Sequence, residues 1–192
     1  MPTIFTHPVV PLAIGAALGR GIIPPRLLAC GAIAATLPDL DVIAFRLGIP
    51  YAAEFGHRGF SHSLLFALVA ALLGACCFRW LHASFPRSFI FLLTAVGSHG
   101  LLDTLTNGGL GIALLWPWSG ERYFAPFQPI EVAPLGLGRF FSAKGASVFL
   151  SELLWVWLPA FAAGATALLA RTAAGKLAAR SEQFAAHGKR IH

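Results

Sequence analysis

Acidic side chains are scarce in this chain. Only 8 of 192 residues are Asp or Glu, and charged residues of both signs make up 11%, against about 25% in ordinary soluble domains. With 57% hydrophobic residues and a mean hydropathy of +0.72, the composition excludes a water-soluble globule and indicates a membrane protein. Cysteine is nearly missing too. Cys30, Cys76 and Cys77 show no Cys-x-x-C spacing, which excludes a disulfide framework and a thiolate metal site, and they read as small buried hydrophobes. A basic n-region is lacking before the first apolar run, so no cleavable signal peptide is expected. The formal charge of +6 is dispersed and forms no basic patch interleaved with exposed aromatics, so nucleic acid is not an expected partner. No low-complexity linker divides the chain. One membrane-embedded domain is expected over 1–170, followed by a basic, Ala-rich cytoplasmic tail over 171–192.

What the chain does have is long apolar runs. Three reach spanning length: Ser61 to about Leu81, about Ser88 to Leu105, and about Val148 to Ala170. Two shorter ones, Pro8 to Gly19 and Arg26 to Leu37, would reach only about 18 Å at 1.5 Å per residue, short of a hydrocarbon core of about 30 Å. They read as tilted short spans or a re-entrant hairpin. The expected fold is an all-α integral membrane helical bundle with three full-length spans and two shorter N-terminal helices. Lys and Arg sort by side. Nine (Arg20, Arg26, Arg79, Arg87, Arg171, Lys176, Arg180, Lys189, Arg190) fall on one side and five (Arg46, Arg58, Arg122, Arg139, Lys144) on the other. The positive-inside rule then puts the C-terminus in the cytoplasm of a multi-pass inner-membrane protein.

Against this background, a few polar residues stand out, because an acid or imidazole in an apolar segment is costly. They occur as Pro38-Asp39-Leu40-Asp41, as His57-Arg58-Gly59-Phe60-Ser61-His62, and as Ser98-His99-Gly100-Leu101-Leu102-Asp103. The topology puts all of them, and His7, at one membrane face, the outer one. His99 and Asp103 are four apart on a helix and share a face. Asp39 and Asp41, read as an extended pair, would point the same way, and two such carboxylates repel without a cation between them. Ser61 reads as the cap of the span that follows, Glu54 as a carboxylate that could fix the tautomer of a histidine ligand, and Arg58 as a fork for phosphate or carboxylate. The bland alternatives are a His–Asp hydrogen bond between helices, an Asx turn, and an arginine snorkelling to headgroups. His82, His187 and His192 stay outside the set. The stretch Leu115 to Pro126 reads as an interfacial aromatic belt or a lid over the site. Mixed His and Asp donors without Cys suit zinc or another first-row divalent ion. Two or three such ions can activate a water, orient a phosphoryl group and stabilise a leaving oxygen.

At these residues the chain resembles the LexA-regulated, membrane-bound metal-dependent hydrolases (YdjM-like). The resemblance runs from about Thr6 to Pro159. It rests on Thr6-His7, Pro38-Asp39-Leu40-Asp41, His57-Arg58-Gly59, Ser61-His62-Ser63, Ser98-His99, Leu102-Asp103 and Leu115-Trp116-Pro117-Trp118-Ser119 leading to Arg122-Tyr123-Phe124. That family is thought to be distantly similar to zinc-dependent phospholipase C and the P1-type nucleases. The resemblance implies His7, Asp39, Asp41, His57, His62, His99 and Asp103 as ligands of two or three zinc ions. The chemistry expected is hydrolysis of a phosphate ester, lipid-linked esters included, in an amphiphilic or phosphate-containing substrate, with Asp39, Asp41 and Arg58 as catalytic groups and membrane lipids as partners. The competing reading is a transporter or metal-handling protein that uses the same residues as a relay.

Overall fold

The computed structural model describes residues 1–133 and 141–188. Arg139, Lys189, Arg190 and His192, and the side chains of Arg180 and His187, lie outside what it describes. Among the described residues seven α-helices follow in order: α1 (Val9–Leu18), α2 (Pro25–Ala34), α3 (Ile43–Arg46), α4 (Leu64–Ala75), α5 (Phe85–Thr104), α6 (Ala143–Glu152) and α7 (Leu158–Gly188). Short 3-10 helices lie at Pro38–Val42 and Phe60–His62, and a π-helical turn at Leu153–Trp157 joins α6 to α7. Among the described residues there is no strand, only isolated bridges pairing Thr106 with Ile130 and Ile112 with Tyr123. The protein is an all-α membrane bundle, as its composition requires.

Local sequence sets the helix ends. Gly19, at φ +76°, closes α1 with its N–H bonded to the carbonyl of Gly15 at 2.8 Å, a left-handed stop that only glycine makes without penalty. Pro24 is extended and Pro25 opens α2, where a missing N–H costs nothing. Ser63, not Ser61, caps α4: its Oγ accepts from the N–H of Phe66 at 3.1 Å.

Among the described residues three helical runs are long and apolar enough to cross a membrane: Pro25–Arg46, Phe85–Thr104 and Ala143–Lys176. The expected number holds, but one span changes identity. The run from Ser61 to Leu81 contains only the 12-residue α4. Beyond Ala75 the N–H groups of Cys77 and Phe78 bond the carbonyls of Gly74 and Ala75, three residues back, and the chain turns through His82 at φ +58°. Apolarity continues there while the helix does not, and Cys76 and Cys77 are exposed and not buried. Conversely, the Arg26 to Leu37 segment does not stop at Pro38. The proline enters a 3-10 turn that carries the run on into α3.

Helix α4 packs on α5 through Ala67, Ala71 and Ala75, all buried. Small side chains at i+4 spacing let two membrane helices approach closely. Ile23, Leu27, Ala71, Leu81, Phe91 and Leu92 fill the space between α2, α4 and α5, and α1 lies along α7. The outward faces are apolar, with Ile33, Leu73, Ile90 and Leu169 62–68% exposed, as lipid-facing positions should be. On α5 the buried stripe runs Ser88, Phe91, Leu92, Ala95, Val96, His99, Gly100, Asp103. It is apolar for most of its length and turns polar in its last turns, where the site begins.

Candidate metal centre

His99 is the pivot. Its Nδ1 lies 2.7 Å from the carbonyl of Ala35. A carbonyl only accepts, so Nδ1 carries the proton and Nε2 presents a lone pair. His62 reaches the same point from the 3-10 turn before α4. Its Nδ1 lies 3.2 Å from Asp41 Oδ2, again an acceptor, so its Nε2 also presents a lone pair. The two Nε2 atoms are 3.1 Å apart. At that distance two lone pairs repel unless a proton or a metal ion joins them. The main chain makes this approach possible at Gly100, where a Cβ would stand 2.8 Å from the carbonyl oxygen of His62.

Two carboxylates and a third histidine surround that pair. His99 Nε2 lies 3.5 Å from Asp39 Oδ1, and His62 Nε2 lies 3.3 Å from Asp103 Oδ2 and 4.0 Å from Asp39 Oδ1. His7, at the entrance of α1, stacks on His99 with ring centroids 3.6 Å apart. Its Nε2 lies 3.7 Å from Asp39 Oδ2 and 3.8 Å from Asp103 Oδ1. These separations bracket the roughly 3.3 Å between ligand atoms set tetrahedrally about 2 Å from one zinc ion. Two overlapping triads, His7–His99–Asp103 and Asp39–His62–His99, are close enough to hold an ion, and every member is buried.

Hydrogen bonding within the protein leaves these donors unsatisfied. Both ring nitrogens of His7 and all four carboxylate oxygens of Asp39 and Asp103 are buried without a hydrogen-bond partner, an arrangement that is expensive unless an ion is bound. Charge points the same way. Asp39, Asp41 and Asp103 against Arg58, all buried, leave a formal charge of −2 before any histidine is protonated. Burial opposes a charged His62, yet its contacts with Asp103 and Asp41 outweigh that and push its pKa up to about 9, so without an ion a proton joins the two Nε2 atoms and a bound ion takes that proton's place. Burial, reinforced by His99, pushes His7 down to about 3, so it stays a neutral imidazole. The residues present therefore fit a divalent cation.

Around the donors stands a layer of partners. Asp41 accepts from His57 Nδ1 at 2.5 Å, from Ser61 Oγ at 2.6 Å and from the N–H of Arg58 at 3.0 Å, besides facing His62. Arg58 is fully buried. Its Nε lies 3.2 Å from Asp103 Oδ2, and its terminal nitrogens donate to Gly108 O and Thr106 Oγ1, each at 2.9 Å. Its backbone sits at φ +62°, a conformation uncommon outside glycine. Arg122 braces the segment that carries both residues, donating to the carbonyls of Tyr51, Ala53, His57 and Arg58.

A family model described as "YdjM inner membrane protein" matches residues 1–177. The chain belongs to the YdjM family. It is 54% identical over 162 residues, covering 83% of this chain and 92% of the relative, to inner membrane protein YbcI of Escherichia coli K12. It is 37% identical over 150 residues to inner membrane protein YdjM of the same organism and of Shigella flexneri, covering 72% of this chain and 66% of each relative. No solved structure matches the chain.

In this YdjM-family chain, five of the seven expected ligands converge: His7, Asp39, His62, His99 and Asp103. Asp41 and His57 lie one layer further out, bonded to each other. The extended geometry expected of Asp39 and Asp41 explains the difference. They lie in a 3-10 helix, where residues two apart diverge by about a third of a turn, so Asp39 enters the cluster and Asp41 turns to the histidines behind it. Of the two partners expected of the Arg58 fork, phosphate or carboxylate, the structure gives it a carboxylate: it is turned inward onto Asp103 and does not snorkel. Ser61 does not cap a helix but donates to Asp41. Glu54 accepts from Trp116 Nε1 at 3.3 Å and leaves the orientation of His57 to Asp41. Trp116 packs its ring on Phe55 and Phe60, so the aromatic stretch covers the loop that bears His57.

Glu152 lies outside the clusters that the sequence singled out. It is fully buried in α6 and accepts from the N–H of Thr3, from Thr3 Oγ1 at 2.7 Å and from Thr6 Oγ1 at 2.6 Å. That ties down the segment leading into His7. An acid in an apolar helix was the available signal. The Ala35 carbonyl, which orients His99, gives no side-chain signal at all.

Proposed function

We propose that this protein is a membrane-bound metal-dependent hydrolase that cleaves a phosphate ester. The observation that carries the reading is the pair of imidazole Nε2 atoms facing each other at 3.1 Å, flanked by two carboxylates without hydrogen-bond partners. His7, Asp39, His62, His99 and Asp103 would hold divalent ions, with zinc the best match to a His and Asp donor set. A bound ion of this kind supplies Lewis-acid activation of water and of a phosphoryl oxygen. The chain's own residues do the rest. Asp41 holds the proton of His62 on Nδ1, and the Ala35 carbonyl does the same for His99. Arg58 fixes Asp103, and Asp39 keeps two carboxylate oxygens free to ligate or to take a proton. The names of the relatives support placement in the inner membrane. The distribution of Lys and Arg supports a cytoplasmic C-terminus and a site at the outer face.

A relay across the bilayer fits less well. Such a path needs ionisable groups spaced along the spans, whereas the buried His and Asp side chains among the described residues gather in one cluster. Elemental analysis of the purified protein tests the hydrolase reading. Stoichiometric zinc or manganese, lost in Asp103→Ala, together with chelator-sensitive hydrolysis of bis(4-nitrophenyl) phosphate, is expected. A folded protein with no stoichiometric metal overturns it.

A further inference from the structure

An apolar groove leads from the lipid-facing surface toward the metal cluster. Two cavities compose it. One of about 490 Å³ lies between α2 and α4 and ends at Trp80 and Leu81. The other, about 440 Å³, wraps the 3-10 turn at Pro38–Val42 and α3. Leu37 and Phe66 line both. The larger cavity carries no charged side chain. The smaller one has two polar residues in its wall, Asp41 and Ser61, and these touch His62 directly.

The sequence of α4 explains how the groove forms. Ala67, Ala71 and Ala75 seat the helix against α5, while Ala70 and Gly74, four apart, line the groove with Val69 and Leu73 beside them. From Phe66 to Cys77 the groove follows α4 and the turn after it for about 16 Å, at about 1.5 Å or more per residue. That is close to half of a hydrocarbon core of about 30 Å, the depth of one leaflet. Val69 and Leu73 are exposed, so the groove opens sideways into lipid and not along a water-filled path.

We propose that this groove binds one acyl chain of a phosphate-headed membrane lipid and sets its head beside Asp41 and Ser61, at the edge of the metal cluster. The fate of the head rests on the hydrolase reading; the seating of the chain does not. Apolar walls select a hydrocarbon over a peptide, whose backbone N–H and C=O groups would be costly to bury against them. The depth of one leaflet selects a lipid tail over a small apolar solute.

Photolabelling in nanodiscs tests it, using a phosphatidylglycerol with a diazirine near the end of one chain. Label is expected to concentrate on Ile33, Val69, Leu73 and Cys77, with Leu169 on α7 as the lipid-exposed reference. Ala70→Phe, which fills the groove, should cut that label about tenfold, equivalent to losing roughly two buried methylenes, and leave Leu169 unchanged. Ile33→Trp, at the exposed rim, serves if Ala70→Phe does not fold. Uniform label on all exposed apolar positions, or label insensitive to both variants, overturns the proposal. So does a cross-link that shows a second copy of the chain seated there. A kinetic arm separates the two readings. With the hydrolase reading correct, Ala70→Phe raises KM for the long-chain lipid and leaves kcat/KM for bis(4-nitrophenyl) phosphate unchanged. If the wild type cleaves neither ester, the hydrolase reading fails, and the photolabel alone decides the groove.

Discussion

Asp41→Asn separates a ligand from a residue that holds a ligand in place. Asp41 faces four donors: His57 Nδ1 at 2.5 Å, Ser61 Oγ at 2.6 Å, the Arg58 N–H at 3.0 Å and His62 Nδ1 at 3.2 Å. Asparagine keeps the shape but puts an NH2 either where His57 points, at Oδ1, or where the other three donors point, at Oδ2. In either orientation His62 loses the carboxylate that keeps its proton on Nδ1 and faces a neutral amide, and the tautomer with the proton on Nε2 has no lone pair for a metal. Loss of such an orienting carboxylate costs roughly 10–100-fold in metal affinity, about 1.4–2.7 kcal/mol. Competition with a chelator of known zinc affinity measures this directly, with Asp39→Asn alongside. Asp39 has no hydrogen bond within the protein, so its loss should remove an ion outright while costing the metal-free protein little stability. The reasoning is refuted if Asp41→Asn binds zinc like the wild type, or loses it as completely as Asp39→Asn does.

Other expectations follow from the same geometry. Arg58→Met leaves Asp103 buried without its cation and should destabilise the protein by about 3–5 kcal/mol, read as a fall in thermal midpoint in detergent. Glu152→Gln weakens the tie to Thr3 and Thr6 by about 1.5–3 kcal/mol, and faster amide exchange at those two residues should accompany weaker metal retention through His7. Gly100→Ala drives a methyl against the His62 carbonyl, so a loss of about 1–3 kcal/mol and lowered metal content are expected, with Gly97→Ala, which meets open space, as the neutral control. Chelation should lower the thermal midpoint of the wild type and have a much smaller effect on Asp39→Asn.

Much of the site was legible because burying charge in lipid is expensive. Asp39, His62, His99 and Asp103 stood out against apolar neighbours, and the i, i+4 spacing of His99 and Asp103 became a shared face of α5. His7 was a weaker signal, and its stacking on His99 could be known only from the fold. Arg58 was read as a fork for phosphate or carboxylate, because a planar guanidinium fits either. Burial against Asp103, Gly108 and Thr106 depends on residues 45 to 50 positions away, which no local pattern reveals. The span at Ser61 to Leu81 was misread for a related reason. Hydropathy measures what a segment can dissolve in, and the turn after Ala75 is made by backbone hydrogen bonds that leave hydropathy unchanged.

Sequence alone determined the solvent, the secondary-structure class and the identity of the costly residues, because each follows from transfer free energies and from periods of a few residues. Tertiary structure decided which of those residues meet. A 3-10 turn in place of an extended pair separates Asp39 from Asp41. A glycine on α5 admits the His62 carbonyl. Two stretches of small residues on α4 leave one face closed on α5 and the other open as a groove. These are outcomes of packing between distant segments, where distances of a few tenths of an ångström separate a ligand from its support.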